Sequence, residues 1–346
     1  MNVTLRDLAR AAGVSASTVS RVLRNSPKVH PASRNKVVWA VKELGYRHNP
    51  LVDAWATRFR ETHRQSGLVL AHVTGFSPEE LSANPVLKRV VGAIHSRANE
   101  LELSISPFLL QDNGVLGASR LRNILFYRGI TAVIWGPFPS SAAICVSKEW
   151  AFSMVGVGIS RATENLHRAA HNRYRSMRCL SKYLNKFRRP GLVGFGPKES
   201  SSSLGWTQAY FHYLAGLPAK NRVPWLPVPA FDRVVISKWL ERYRPDVIIS
   251  PILECRELAR ETGSEFCALN LVEESANGTI KGITHPSSAI GRGAVDMLLA
   301  QCDWNEIGVP THPRQTTWEG SVVGFGPNGE VEAIPRFMPG SVPGVR

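Results

Sequence analysis

The stretch VTLRDLARAAGVSASTVSRVL, residues 3–23, decides how the chain begins to fold. Thr4 and Asp7 stand at the spacing of a capping box, with the Thr4 hydroxyl at the N-cap and Asp7 three residues on. Leu5, Leu8, Ala9 and Ala12 then recur at helical spacing, and Gly13 stops the run. Ser15 can cap a second helix, Ala16 to about Arg24, whose inward stripe is Val19, Val22 and Leu23. Asn25-Ser26-Pro27 breaks it. Pro31 sits in the first turn of a third helix with Val37, Val38, Val41 and Leu44 as its expected core face, ended by Gly45. Two short helices joined by a turn at Gly13 and braced by a third follow the helix-turn-helix plan.

The charge around this stretch points to its partner. The chain of 346 residues carries a net charge of +15, and residues 1–65 hold twelve Lys/Arg against four Asp/Glu, about half of that excess. A polyanion is therefore the first partner to consider, nucleic acid before a membrane surface. No apolar run approaches the roughly 18 residues of a membrane span, which excludes a channel or transporter. MNVTLRDLARAAG has no apolar core of a secretory signal, so a cytoplasmic, nucleoid-associated protein is expected. Cys145, Cys179, Cys255, Cys267 and Cys302 are odd in number, far apart and without a C-x-x-C pair. They read as reduced thiols, neither a disulfide framework nor a metal site.

Moving outward, Asn49-Pro50 separates the head, residues 1–49, from a linker helix over 50–66. Leu51, Val52, Trp55 and Phe59 line one face of that helix, among Arg58, Arg60 and Arg64. It has too few apolar residues to stand alone and needs a partner chain or DNA to order it. From Gly67 the texture changes to strand runs alternating with amphipathic helices. LVLAHV (68–73), LSISPFLL (103–110), ITAVIWG (130–136) and FSMVGVG (152–158) form one series. GLVGFG (191–196), VIIS (247–250) and FCALNL (266–271) form another, with helices near 172–187, 204–216, 233–243 and 254–262. Such alternation predicts an α/β domain over 67–325 with two parallel-sheet lobes and a cleft at the strand C-termini. Residues 326–346 read as an irregular tail.

Val3-Thr4-Leu5-Arg6-Asp7-Leu8-Ala9, Gly13-Val14-Ser15, Thr18-Val19-Ser20-Arg21-Val22-Leu23 and Glu43-Leu44-Gly45-Tyr46-Arg47-His48-Asn49-Pro50 closely resemble the lactose-repressor (LacI/GalR) family in order and spacing. The rest of the chain fits that family's bilobed periplasmic-binding-protein-like effector domain by pattern. The resemblance implies a homodimeric regulator of transcription, usually a repressor, that binds a near-palindromic DNA operator and responds to a small-molecule effector, often a sugar. It carries the base-reading positions onto Ala16, Ser17 and Arg21. Arg21 can donate two bonds to guanine O6/N7, Ser17 can donate or accept, and Ala16 can pack on a thymine methyl. Thr4, Arg6, Ser15, Thr18, Ser20, Lys28, His30 and Ser33 fall where phosphate contacts are expected, contacts that set register and salt dependence. The hinge positions fall on Val52 and Trp55. Trp55 stands where the family wedges a leucine into the minor groove, and it is either such a wedge or a packing residue of the dimer seam.

For the effector pocket the resemblance points to Ser202, Trp206 and Asn270. The family's sugar-binding Arg position is Ser202, ahead of Gly205-Trp206, which argues against a simple monosaccharide. Phe76, Trp135 and Phe138 lie near expected strand ends, where they could stack on a ligand or pack in the core. The basic run Arg168 to Arg189 reads as the solvated face of a helix whose core face is Met177, Leu180, Tyr183, Leu184 and Phe187. No P-loop, Gly-x-Ser-x-Gly elbow or H-E-x-x-H occurs, so no catalytic residue, metal or cofactor is expected. The rival readings are an architectural DNA binder with a non-responsive effector domain, a solute-binding protein, and an enzyme with a DNA-binding head.

Overall fold

Leu8, Val19 and Val37, one from each expected head helix, are fully buried in a single cluster in the computed structural model of the chain. The structure describes residues 5–23, 29–44, 69–110, 115–139, 142, 146, 149–195, 204–272 and 280–325. The chain divides into two units, Met1–Ser66 and Gly67–Arg346. In the first, α1 (Leu5–Ala12), α2 (Ala16–Leu23) and α3 (Pro31–Glu43) enclose Leu8, Ala12, Val19, Val22, Val37 and Ala40. Gly13 takes φ +62°, the left-handed turn that costs glycine nothing and lets α2 cross α1. One expectation needs correction here. The core face of α3 is Val37, Ala40 and Val41, while Val38 is 56% exposed and Leu44 37%. Val38 lies one step off the stripe begun by Val37, so the helical period turns it outward.

The second unit holds two six-stranded sheets. The first lobe contains β1 (Val69–Thr74), α4 (Pro78–Ala83), α5 (Pro85–Glu100), β2 (Ser104–Leu109), α6 (Val115–Tyr127), β3 (Ala132–Trp135), β4 (Ser153–Val157) and β5 (His167–His171). The second contains α7 (Arg173–Leu184), β6 (Pro190–Phe195), α8 (Leu204–Ala215), β7 (Leu226–Val228), α9 (Arg233–Tyr243), β8 (Val247–Ser250), α10 (Cys255–Thr262), β9 (Glu265–Leu271) and β10 (Gly282–Thr284). The chain then returns to the first lobe through α11 (Ser287–Asp303) and β11 (Gln315–Trp318), and ends in the second sheet with β12 (Val322–Val323).

Strand order is β11-β5-β4-β3-β1-β2 in one sheet and β12-β10-β9-β8-β6-β7 in the other. All pairs are parallel except β10 with β12. The two lobes thus repeat one winding scheme, with order reversing beside β1 and beside β6. At such a reversal the flanking connections leave on opposite faces of the sheet and open a crevice at the strand C-termini. Helix α11 packs on α5 so closely that a Cβ added at Gly291 would lie 2.4 Å from the Val90 carbonyl oxygen.

The connections at residues 172, 285–286 and 319–321 carry the chain between lobes, and they are cross-linked. Asn172 N–H donates to the Trp318 carbonyl (2.8 Å), and Gly320 N–H donates to Ser176 Oγ (2.9 Å). Thr284 N–H donates to the Ser321 carbonyl and Ser321 N–H to Thr284 Oγ1, both at 2.9 Å. These bonds fix the backbone from which His171, Arg173 and His285 project. Several elements here escaped the sequence reading: β5, β7, β10, β11, β12 and the whole of α11.

Candidate functional site

The head offers its polar groups on the rims of α2 and α3. Ser15 precedes α2, where its Oγ accepts from Thr18 N–H (3.2 Å) and lies 2.9 Å from Thr18 Oγ1. That bond satisfies one of the free amides of the first turn. Each hydroxyl keeps further hydrogen-bonding capacity for a phosphate. Ala16, Ser17 and Ser20 lie on α2 with Arg21. Arg21 is exposed and has no hydrogen bond or ion pair to any described residue. His30 caps α3, its Nδ1 accepting from Ala32 N–H at 3.3 Å. In the neutral ring this places the proton on Nε2, a donor turned away from the helix. Ser33 is half-buried in the first turn of α3, and Arg6 lies on α1. Thr4, Lys28, Val52, Trp55 and Ser202 lie outside the described residues.

Between the lobes of the second unit is a cleft of about 740 Å³, within the range of small-molecule sites. Its upper wall comes from Phe76 after β1 and Pro137, Phe138 and Pro139 after β3. Its lower wall comes from Phe195 at the end of β6 and from Pro251 and Leu253 after β8. These are the two positions where strand order reverses. Gly75 is held against Phe138, whose ring would lie 2.7 Å from an added Cβ, so the aromatic wall requires glycine there.

The floor is polar. His171 ends β5, Arg173 opens α7, Asn270 lies in β9, and His285 follows β10. The two imidazoles meet edge to face at 4.7 Å. His171 Nε2 lies 2.8 Å from Ser176 Oγ, and His285 Nδ1 lies 2.8 Å from Ser287 Oγ. Burial, and then the neighbouring positive groups, hold His171 well below its ordinary pKa and lower His285 to about 3. Both rings are therefore neutral at physiological pH. Burial also pushes Arg173 down to about 10, still cationic at pH 7. Its Nε and Nη1 are shut off from solvent without a partner among the described residues, while Asn270 faces the His171 ring. Asn270 adopts φ +59°, a left-handed conformation that asparagine tolerates better than most residues.

The expected pocket residues separate into two groups. Phe76, Phe138 and Asn270 line the cleft. Trp135 and Trp206 lie in the lobe cores and are not among its lining residues. Trp135 is fully buried beside Trp150 and donates Nε1–H to the Ala162 carbonyl (2.9 Å). Trp206 packs in the second lobe, edge to face with His171 at 5.3 Å. The structure adds Arg173, His171 and His285. Arg173 is a correction to the solvated-face reading of the basic run, because the junction of β5 and α7 turns this one arginine into the cleft. One signal was available in sequence: Gly205 has no Cβ, and one placed there would sit 3.0 Å from Arg173 Cβ.

Among the described residues no helix is long and apolar enough to cross a membrane. Residues 4–49 match the family described as "Bacterial regulatory proteins, lacI family". The HTH-type transcriptional regulator GalS of Salmonella typhimurium is 53% identical over 60 residues, 17% of this chain and 18% of that protein. The HTH-type transcriptional regulator GntR of Pseudomonas aeruginosa is 28% identical over 334 residues, 88% of this chain and 90% of that one. Matches to GalS, Catabolite control protein A and GalR span only 18%, 24% and 20% of those curated relatives. In fold, the chain is similar to the lac repressor dimer bound to operator and the anti-inducer ONPF. The TM-score is 0.56 at 20% identity, covering 93% of this chain and 98% of that one. Residues 4–49 carry a lacI-family head, and along most of its length the chain is similar to a LacI/GalR-type regulator in sequence and to the lac repressor in fold.

Proposed function

We propose that the protein is a sequence-specific DNA-binding regulator of transcription, a repressor that binds a near-palindromic operator as a homodimer and answers to a small molecule held between its lobes. The observation that carries the reading is Arg21, exposed and without a partner among the described residues, on the second helix of a lacI-type head. A guanidinium in that state can fork onto a guanine edge at little desolvation cost, and Ser17 on the same helix can add a second contact. Ser15, Thr18, His30 and Ser33 supply donors for phosphates beside the N-termini of α2 and α3, where the helix dipoles favour anions. The hinge over 50–66 and the pairing of two heads complete the reading. The site of action is the nucleoid of the cytoplasm, and no catalytic step belongs to it.

Occupancy of the cleft alters operator affinity only if the ligand binds the DNA-competent and DNA-incompetent states unequally. Selection of bound fragments from randomised duplex DNA at two salt concentrations tests the proposal. An enriched palindrome that survives the higher salt is the expected outcome. Salt-sensitive binding without sequence enrichment would instead favour an architectural DNA binder.

A further inference from the structure

The cleft has apolar walls and a polar floor in which the Arg173 guanidinium lacks a partner among the described residues, and that asymmetry constrains what it takes. Arg173 makes no hydrogen bond or ion pair with any described residue, and two of its three guanidinium nitrogens are closed to solvent. Leaving a cation so placed is costly unless an anion neutralises it. Among the described lining residues the other charged one is Glu80, exposed in α4, and no described carboxylate acts on Arg173. The neighbouring His171 and His285 add no charge, being neutral at physiological pH. Among the described residues the floor thus presents a single positive charge, which matches one carboxylate better than a phosphate dianion.

The remaining open groups define the rest of the ligand. Asn270 Oδ1 is buried beside the His171 ring and, with two lone pairs, can accept from a ligand donor as well. His171, only 1% exposed, sets the floor beside it, its ring held between Ser176 and Asn270. Phe76, Phe138 and Phe195 face this floor as rings suited to a C–H surface.

We propose that the effector of this protein is a small hydroxylated monocarboxylic acid, its carboxylate bound by Arg173 and a hydroxyl bound by Asn270. This rests on the reading of the cleft as an effector site, and it adds the charge and donor pattern of the ligand. It places the cleft's cation on α7, whereas the family's sugar-binding arginine would stand at Ser202.

The test uses the full-length protein and thermal unfolding. Glycerate, gluconate and galacturonate are compared, at ~20 mM and matched ionic strength, with glycerol, glucose and galactose and with the corresponding sugar phosphates. At least one carboxylate should raise Tm by about 2 °C or more, with its uncharged and phosphorylated counterparts giving less than half that shift. Arg173→Met, which keeps the packing stem against Gly205, should abolish the shift while leaving Tm without ligand unchanged or higher. The proposal is overturned if no carboxylate stabilises the protein or if the uncharged or phosphorylated compounds stabilise it as well. It is also overturned if Arg173→Met keeps the shift or lowers Tm without ligand by more than about 4 °C, the mark of a structural strut. Operator affinity measured in the same samples separates the two readings. A carboxylate that binds through Arg173 yet leaves operator affinity unchanged would refute the regulatory reading and leave the ligand class intact.

Discussion

Arg21 and Arg173 are both cations without a partner among the described residues, and their surroundings differ in the way their two sites differ. Arg21 stands in solvent on a three-helix head whose buried core is six residues. Arg173 lies at the junction of β5 and α7 with Nε and Nη1 closed to water. A hydrated guanidinium on a small rigid head suits a long polyanion that meets it from outside, where salt competes and geometry selects. A guanidinium walled by Phe76, Phe138 and Phe195 suits a small anion that enters the cleft and displaces little more than water. The head therefore depends on local helix geometry, and the cleft on the burial of polar groups.

The sharpest way to break this comparison is to remove the head's core without touching the cleft. Leu8 is fully buried in a core too small to absorb its loss. Leu8→Ala should cost about 2–5 kcal/mol of head stability. DNA binding should disappear while the unfolding transition of residues 67–346 stays in place. A shifted second transition would mean that the units do not unfold separately.

Acid should do the reverse. His72, His171 and His285 are buried and neutral, with His72 lowered to about 4 and His285 to about 3. His72 faces His95 and the Gly136 carbonyl, and His171 and His285 face each other and Arg173. Because their folded pKa values lie below the ordinary 6.5, the unfolded chain binds the extra protons. The stability they contribute is complete above pH ~6.5 and is lost as pH falls toward the folded values. By pH ~5.5 the loss should be on the order of 1 kcal/mol per histidine, read by denaturant melts of the cleft domain. An unchanged midpoint between pH ~7.5 and ~5.5 would show that these rings are already hydrated.

Two smaller changes sharpen the head's side. Arg21→Ala should cost about 1–3 kcal/mol per half-site on operator and much less on random duplex, so the ratio of the two affinities falls; an unchanged ratio would place base reading elsewhere. Ser15→Ala removes the cap of α2 and should cost about 1 kcal/mol of head stability. It should weaken operator and random DNA alike, since the lost contact carries no base information.

The same contrast explains what could be read without a structure. The head's helices were legible from Gly13, Ser15 and Pro31 because caps and stops act within four residues. Only the outward Val38 and Leu44 were misplaced, the apolar count hiding the stripe that Ala40 completes. The alternation of strands and helices carried the two lobes. Helix α11 was missed, with Gly291 and Gly293 breaking its apolar face, and so were β10 and β12, two or three residues each. In the cleft, Trp135 and Trp206 drew attention as large aromatics near strand ends, yet size favours the core. Arg173 was hidden in a basic run, because nothing local to HNRYR tells that one side chain turns inward. That depends on Gly205, thirty-two residues away in sequence, and on crossovers at 285 and 320.

The direct test of the whole account is a reciprocal titration of the intact protein. Affinity for the stabilising carboxylate is measured with and without saturating operator DNA. If cleft and head share one equilibrium, the two values must differ by the factor by which the acid changes operator affinity, at least about fivefold for a coupling of 1 kcal/mol. Equal affinities would mean that the cleft binds its ligand without informing the head.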